Sequence, residues 1–293
     1  MFVATIVASE TLGQGDISEA ADRLAQAGCA PSTPLVLEPG KAADLLFSRE
    51  PKAARVALAG LAAIDSIVQV ATHREKKLLI ADMDSTMITI ECIDELADYA
   101  GIKPQIAEVT ERAMRGELDF AQALKARVAL LKGLDEAMIE RCREERVKIM
   151  PGARALVQTM RARGAETILV SGGFTRFTEP VAAEIGFARA VANVLDIAAG
   201  ALAGTVQLPI VDSTRKRSEL EEALIAGNLD RVLSMAVGDG ANDIPMIEGA
   251  GLGVAYHAKE KTRAAADAEV RHGDLSVLLY AQGIRRADWA TDI

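Results

Sequence analysis

The stretch that decides the fold is KKLLIADMDSTMITIE, residues 76–91. Its apolar run LLIA predicts a short strand that is covered on both faces, as in a parallel sheet. Two aspartates, Asp82 and Asp84, follow this run with one residue between them. Carboxylates that close repel each other, so stability alone does not account for the pair. The stretch therefore predicts a functional site at the end of a buried strand.

Strands and helices alternate along the chain from residue 77 onward. The helical patterns ARALVQTMRARG, RKRSELEEALIAG and NDIPMIEGAG are followed by the strand patterns AETILVSGG, DRVLSMAVGDG and LGVAYH. This alternation predicts an α/β domain with a doubly wound parallel sheet, which we place at residues 73–293. Residues from about 88 to 149 interrupt it with helical patterns only. They are too many for a crossover, so we expect an inserted helical cap.

Residues 1–72 predict a small separate unit of the α+β class. FVATIVAS is typical of a strand, and DISEAADRLAQAG has helical periodicity. TPLVLEPGKAADLLFS fits two strands around a Pro-Gly turn, although its second half also fits a helix. A second helix and strand complete the order β-α-β-β-α-β, which is ferredoxin-like.

Charge and cysteine content exclude several classes of protein. Lys and Arg number 33 against 42 Asp and Glu, which gives a net charge of −9 and argues against binding of nucleic acid. The three cysteines form no CxxC pair, so neither a zinc site nor a disulfide framework is predicted. We see no signal sequence and no apolar window of about 18 residues. We therefore expect a soluble, cytoplasmic protein with no membrane association.

Three predicted core strands end in polar motifs, namely DMDST, SGGF (171–174) and GDGAND (238–243). Each motif alone fits a surface turn, but ligand sites in open α/β sheets lie beyond the carboxyl ends of strands. Asp82, Asp84 and Asp239 would concentrate negative charge that a hard dication such as Mg²⁺ relieves. The occurrence of all three motifs at the ends of successive core strands indicates a functional site there.

The other polar groups of these motifs suit a phosphoryl group. Ser171 and the backbone N–H groups of Gly172 and Gly173 can donate to phosphate oxygens. Lys216 is a candidate cation that neutralises the same group. An aspartate is also a chemically competent acceptor of phosphate. The pattern therefore predicts Mg²⁺-dependent phosphoryl transfer through an aspartate.

DMDST, SGGF, the lysine of KRSEL and GDGANDIPM resemble, in order and spacing, the four motifs of the haloacid dehalogenase-like phosphatases. The resemblance covers residues from about 77 to 275, and within that superfamily the chain is most similar to phosphoserine phosphatases. It implies a nucleophile, Asp82, and a general acid and base, Asp84. It also implies these further roles: Mg²⁺ held by the Asp82 carboxylate, the Asp84 carbonyl and Asp239; phosphate bound by Ser171, Gly172, Lys216 and Asn242; and Lys216 oriented by Asp243.

The predicted substrate depends on cap residues. Glu91 stands where phosphoserine phosphatases use a glutamate for the substrate ammonium group. The segment AMRGELDFAQALKARV resembles their cap, which implies apolar walls at Met114 and Phe120 and a carboxylate partner at Arg127. The implied activity is hydrolysis of O-phosphoserine to serine and phosphate, the last step of L-serine biosynthesis.

Two alternatives to that activity stay open. One is a related phosphatase for another small phosphomonoester, such as phosphothreonine or phosphohomoserine. The other is a catalytically silent amino-acid sensor, although the presence of Asp82, Asp84, Lys216 and Asp239 argues against it.

The N-terminal unit resembles the ACT regulatory domains that are attached to some phosphoserine phosphatases. Those domains often bind amino acids between paired copies, which implies a homodimer. LGQGD, residues 12–16, is the nearest candidate for a ligand-binding loop and a weak one. A purely architectural role for this unit fits the sequence equally well.

Overall fold

The computed structural model describes residues 1–290, apart from the side chain of Met114. The chain begins with the elements β1 (Phe2–Ala8), α1 (Gln14–Gln26), β2 (Leu35–Glu38), β3 (Ala42–Phe47), α2 (Pro51–Leu58) and β4 (Ile64–Val70). The strands form an antiparallel sheet in the order β2-β3-β1-β4. The predicted β-α-β-β-α-β order is thus confirmed. The helical alternative for KAADLLF is wrong, because this segment pairs with β1 along its whole length.

Four helices follow the next strand and form the predicted cap. The strand is β5 (Leu78–Ala81), and the helices are α3 (Cys92–Tyr99), α4 (Lys103–Met114), α5 (Phe120–Leu130) and α6 (Ala137–Arg146). All four precede the second core strand, so the cap is an insertion into the α/β core.

The rest of the chain completes the core. Its strands are β6 (Glu166–Phe174), β7 (Arg189–Asn193), β8 (Leu195–Ala198), β9 (Ala201–Val206), β10 (Ser234–Gly238), β11 (Leu252–Tyr256) and β12 (Ala268–Val270). Its helices are α7 (Ala153–Ala162), α8 (Thr175–Ile185), α9 (Ser213–Ala226), α10 (Ile244–Gly249), α11 (Glu260–Ala265) and α12 (Val277–Ala281). Six strands form a parallel sheet in the order β12-β11-β10-β5-β6-β7, while β8 and β9 make a separate hairpin.

Helices cover both faces of the parallel sheet. Leu78 and Ile80 of β5 pack into a cluster that includes residues of α9 and α10. Leu79 and Ala81 face the opposite way, into a cluster that includes residues of α7, α8 and α12. This two-sided burial explains why β5 is a continuous apolar run rather than an alternating one. The predicted doubly wound α/β class is confirmed.

The N-terminal sheet is also covered on both faces. Its own helices α1 and α2 pack on one face, where Leu24 and Leu58 are buried. On the other face, Val7 and Ile67 belong to the same apolar cluster as Leu278 of α12. The helix α12, the last α-helix among residues 1–290, therefore lies between the two sheets. The domain limits 1–72 and 73–293 stay a prediction.

A buried carboxylate adds a polar contact between the two sheets. Asp65 of β4 accepts hydrogen bonds from the backbone N–H groups of Arg271, His272 and Gly273, at N···O distances of 2.7, 3.1 and 2.7 Å. Nearby, the Gln69 side-chain amide donates to the carbonyl of Ala281 at 2.7 Å. These contacts hold β4 against the segment that leads into α12.

The cap is fastened to the core by the β8–β9 hairpin. The backbone N–H of Gly133, just after α5, donates to the carbonyl of Leu202 at 2.8 Å. The N–H of Leu202 donates in turn to the carbonyl of Leu134 at 2.8 Å. The C-terminal end of α5 is therefore held in register with β9.

Helix hydropathy and the cysteines can be described for residues 1–290. No helix in this part of the chain combines the length and the apolar character that a membrane crossing requires. Cys29, Cys92 and Cys142 are all free and buried.

Candidate active site

A cavity of about 660 Å³ lies where the carboxyl ends of β5, β6 and β10 meet the cap. The parallel register brings these ends level, because Ile80 pairs with both Ile168 and Ala236. The predicted residues that line the cavity are Asp82, Asp84, Glu91, Phe120, Arg127, Ser171, Gly172, Gly173, Asp239 and Asn242. The structure thus brings together both the core motifs and the cap residues.

Lys216 forms a buried ion-pair centre at the base of this cavity. Its Nζ lies 2.6 Å from Asp82 Oδ1 and 2.7 Å from Asp243 Oδ1. Asp212 caps α9 by accepting from the N–H of Arg215 at 2.8 Å, which places Lys216 in the first turn at the sheet edge. Burial opposes ionisation of Lys216, but Asp243 and Asp82 outweigh it and raise its pKa. The lysine is therefore held as a cation.

Three carboxylates converge beside this lysine. One oxygen each from Asp82, Asp239 and Asp243 lies within 4.8 Å of the others. Burial, and then the charge of Asp243, raises the pKa of Asp82, and the same two causes raise the pKa of Asp239 to about 6. The Thr86 hydroxyl donates to Asp239 Oδ1 at 3.3 Å. The cluster carries more negative charge than one lysine neutralises.

The donor set fits a hard dication. Both oxygens of Asp243 are already engaged, one by Lys216 and the other by the N–H of Gly240 at 3.0 Å. Asp82 and Asp239 are therefore the carboxylates best placed to bind a metal, and Mg²⁺ in proteins often uses one or two. The Asp84 carboxylate is not part of the cluster. Its predicted role as a metal ligand concerns its carbonyl and stays a prediction.

Asp84 faces the N-terminus of the first cap helix. Its Oδ1 accepts from the backbone N–H of Cys92, the first residue of α3, at 3.3 Å. Burial, and then the charge of Glu91, raises the pKa of Asp84 to about 7. A carboxyl group with that pKa exchanges protons near neutrality, as general acid–base catalysis requires.

The SGGF motif forms the wall opposite Asp84, at the end of β6. The N–H of Gly173 donates to Ser171 Oγ at 2.8 Å. A Cβ atom at Gly172 would lie 2.9 Å from Phe120 Cζ, and one at Gly173 would lie 3.2 Å from Asp84 Oδ2. A side chain at either position would require Phe120 or Asp84 to shift, because both approach the backbone closely.

Asn193 supports this wall, although sequence reasoning missed it. From the end of β7, its side-chain amide donates to the carbonyl of Gly172 at 2.8 Å and accepts from the N–H of Val211 at 2.8 Å. Asn193 belongs to none of the motifs, so nothing in its local sequence marked it.

Glu91 and Arg127 face the cavity from the cap. Glu91 is the residue before α3, and the Ser85 hydroxyl donates to its Oε1 at 2.7 Å. Burial raises the pKa of Glu91. Burial lowers the pKa of Arg127, while nearby Asp94 and Glu91 oppose that change. The cap thus places the carboxylates of Glu91 and Asp94 and the guanidinium group of Arg127 in the same cavity.

The start of α5 sets the position of the remaining cap residues. Asp119 and Gln122 form reciprocal side-chain-to-backbone hydrogen bonds of 2.8 and 3.0 Å, a capping box that begins the helix at Phe120. Phe120, Leu124 and Arg127 then share one helix face and line the cavity. The predicted wall residue Met114 lies at the end of α4, and its side chain is outside the described part of the structure.

A carboxylate and lysine centre lies at the carboxyl edge of a parallel sheet, beneath a helical insertion. This arrangement defines the class of doubly wound α/β proteins with a cap over the site. The comparisons agree with this class. The family model described as haloacid dehalogenase-like hydrolase matches residues 79–248. The chain belongs to this family.

Two relatives show which kind of hydrolase the chain is similar to. The chain is 45% identical over 208 residues to a phosphoserine phosphatase of Albidiferax ferrireducens, covering 69% of this chain and 88% of that protein. It is 43% identical over 224 residues to a phosphoserine phosphatase of Streptomyces coelicolor, covering 76% of this chain but only 54% of that protein. The chain therefore spans about half the length of the Streptomyces relative.

A solved structure extends the likeness to nearly the whole chain. The unliganded probable phosphoserine phosphatase of Vibrio cholerae is similar with a TM-score of 0.78 and 34% identity, over 96% of this chain and 88% of that chain. The likeness thus includes the N-terminal sheet as well as the core and cap.

Proposed function

We propose that this protein hydrolyses O-phosphoserine to serine and phosphate through an aspartyl-phosphate. The observation that carries the proposal is that one cavity contains the Asp82–Lys216 centre together with Glu91 and Arg127 of the cap. The names of the relatives in Albidiferax, Streptomyces and Vibrio support the same substrate. The place of this reaction at the end of serine biosynthesis, in the cytoplasm, belongs to the proposal.

The first half of the reaction transfers the phosphoryl group to Asp82. A carboxylate oxygen of Asp82 attacks phosphorus, the bond from phosphorus to the serine oxygen breaks, and Asp84 gives its proton to that oxygen. A pKa of about 7 leaves Asp84 substantially protonated at neutral pH, which suits this step. Lys216, between Asp82 and Asp243, offsets negative charge at the attacking carboxylate.

The second half hydrolyses the aspartyl-phosphate. Asp84, now ionised, takes a proton from a water molecule whose oxygen attacks phosphorus, and the Asp82 carboxylate leaves. Asp84 is protonated again at the end, so the proton balance of the cycle closes. Ser171, Gly172 and Gly173 would donate hydrogen bonds to phosphoryl oxygens, with Asn242 as a further contact.

We propose Mg²⁺ as the cofactor, held by Asp82, Asp239 and the Asp84 carbonyl. When bound, this ion would neutralise the carboxylates and the phosphoryl oxygens. The raised pKa values of Asp82 and Asp239 and the convergence of their oxygens support the assignment.

The cap would select the amino-acid end of the substrate. Glu91 would pair with the ammonium group, and Arg127 would bind the carboxylate through its planar fork. Phe120, which approaches Gly172 closely, would cover the phosphate loop and exclude water. A phosphomonoester without an amino-acid end would lose both charged contacts.

Activity measurements test the two parts of this proposal separately. We expect Asp82→Asn to abolish hydrolysis, and activity that survives this change would refute the covalent route. We expect Glu91→Gln and Arg127→Ala to lower kcat/KM for phosphoserine about 100-fold, since each removes a charged contact. Phosphothreonine and phosphohomoserine serve as competing substrates, and Glu108→Gln on the exposed side of α4 is the control. Equal kcat/KM values for phosphoserine, phosphothreonine and phosphohomoserine would refute the proposed preference for phosphoserine.

The N-terminal unit, residues 1–72, is proposed to be an ACT-like domain. Its β2-β3-β1-β4 sheet with two helices on one face supports this. A homodimer through this unit is a further part of the proposal, and sedimentation equilibrium of the full chain tests it. A monomer at micromolar concentration would refute the dimer.

A further inference from the structure

One wall of the active-site cavity comes from a segment that no motif predicted. Residues 259–262, at the start of α11, place Lys259, Lys261 and Thr262 along the same cavity as Asp82 and Asp84. The two lysines are exposed to solvent, whereas Thr262 is completely buried. The segment therefore presents two exposed cations at the cavity mouth and a buried hydroxyl group beneath them.

The acidic lining of the cavity indicates a role for these lysines. The acidic residues that line it are Asp82, Asp84, Glu91, Asp94 and Asp239. Its cationic lining residues are Arg127, Lys259 and Lys261, so two of the three lie in this segment. Cations at the mouth of an acidic cavity reduce the repulsion of an approaching phosphomonoester dianion, in addition to the neutralisation that Lys216 supplies at the base.

Lys259 also acts on the proposed ammonium site. Burial raises the pKa of Glu91, and Lys259 is among the cations that oppose this rise. Lys259 and Glu91 line the same cavity, so the lysine contributes a positive potential at the Glu91 carboxylate. This places the segment beside the amino-acid end of the proposed substrate.

The Thr262 hydroxyl is an independent sign of a ligand. Its Oγ1 is buried and has no hydrogen-bond partner among residues 1–290. A buried hydroxyl without a partner destabilises the free protein, so such groups normally have one. Thr262 borders the cavity, but its hydroxyl has no accessible surface in the ligand-free protein. A bound molecule or its water can therefore supply the missing partner only when a neighbouring side chain shifts on binding.

We propose that residues 259–262 form a recruitment wall for anionic substrates. Lys259 and Lys261 accelerate capture of the phosphomonoester dianion, and the Thr262 hydroxyl hydrogen-bonds to the bound ligand or its water. The inference rests on the proposed phosphatase function and adds binding residues outside its four motifs.

Salt-dependent kinetics test the two lysines. Lys259→Gln and Lys261→Gln, combined, should lower kcat/KM about 10-fold at low ionic strength and leave kcat unchanged. The loss should shrink in about 0.5 M NaCl, because salt screens exposed charges. Glu260→Gln is the matched control, since Glu260 lies between the lysines and does not line the cavity. A wild-type kcat/KM at low salt, or a loss that salt does not reduce, would overturn the role of the lysines.

Phosphate binding tests Thr262. Thr262→Val removes the hydroxyl and keeps the shape, so the ligand-free protein should melt at the same temperature or higher. The rise in Tm that inorganic phosphate produces should be smaller than in wild type, and Thr262→Ser should restore it. An unchanged phosphate-induced rise in Thr262→Val would overturn the contact.

A second substrate separates this inference from the proposed function. Phenyl phosphate has the phosphate dianion but no amino-acid end. If the wild type hydrolyses phenyl phosphate and not phosphoserine, the proposed substrate is refuted, yet the lysine variants still test the wall on phenyl phosphate. If phosphoserine is the substrate and the lysine variants match wild type at low salt, only the wall is refuted.

Discussion

Asp84→Asn should stabilise the metal-free protein at pH 8 while it abolishes catalysis. Asp84 has a pKa of about 7, raised first by burial and then by Glu91, so its ionised form is unfavourable in the folded protein. Asparagine has almost the same shape and can still accept from the N–H of Cys92. The variant therefore removes the unfavourable charge and keeps the hydrogen bond to the first residue of α3.

The size of the effect follows from the pKa. One pKa unit corresponds to about 1.4 kcal/mol, so a change from 3.8 to about 7 sets an upper limit of about 4 kcal/mol. Asp84 is partly exposed to the cavity, so solvent screening reduces this to about 2 kcal/mol. For a chain of 293 residues, that corresponds to a rise in Tm of roughly 3 °C.

The pH dependence gives the sign of the effect. Because the pKa of Asp84 is higher in the folded protein than in the unfolded chain, the destabilisation is full above pH 7. It is relieved as the pH falls from about 7 toward 4, where the folded protein already binds the proton. The advantage of Asp84→Asn should therefore be smaller at pH 5 than at pH 8.

Thermal unfolding followed by circular dichroism, in the presence of a chelator, measures this difference. Glu108→Gln, on the exposed side of α4, controls for the loss of any one negative charge and should change Tm little. An unchanged or lower Tm for Asp84→Asn at pH 8 would refute the reasoning. So would an advantage that stays constant between pH 8 and pH 5.

Three further predictions concern the metal, the phosphate loop and the contact between the sheets. Mg²⁺ at about 100 times its Kd should stabilise the wild type by about 2.7 kcal/mol, and Asp239→Asn should remove this gain in calorimetry. Gly172→Ala should lower kcat/KM at least 10-fold, because its Cβ would meet Phe120 at 2.9 Å, and Phe120→Ala in the same chain should restore part of it. Asp65→Ala should lower the free energy of unfolding by about 3 kcal/mol in urea titration, because the part-buried backbone N–H groups of Arg271, His272 and Gly273 lose their acceptor. A loss below about 1 kcal/mol would contradict this.

The parts of the fold with strong local patterns were predictable from sequence. The strand LLIA, buried on both faces, and the polar residues that end β5, β6 and β10 each leave a local signature. The long helical run between β5 and β6 likewise predicted the cap. These features depend on residues close together in the chain, so sequence reasoning reaches them.

Other parts depend on distant contacts and left no such signature. The strands β7, β8, β9 and β12 and the helix α12 were not predicted, because they are short and their conformation is set by packing. Asn193 and Thr262 were missed for the same reason. The role of Asn193 depends on its contacts with Gly172 and Val211, and that of Thr262 depends on a cavity that other segments form. The covering of the N-terminal sheet by α12 was also unpredictable from the two segments alone.

The position of α12 has a consequence for protein engineering and for the evolution of such chains. Residues 1–72 lack a cover for one face of their own sheet, because Val7 and Ile67 pack toward a helix that lies some 200 positions later in the chain. A chimera that joins only these residues to a different phosphatase core would leave that face open to water and Asp65 without its backbone donors. An exchangeable module would have to include residues 271–284 as well, so the unit that can be transplanted is discontinuous in sequence.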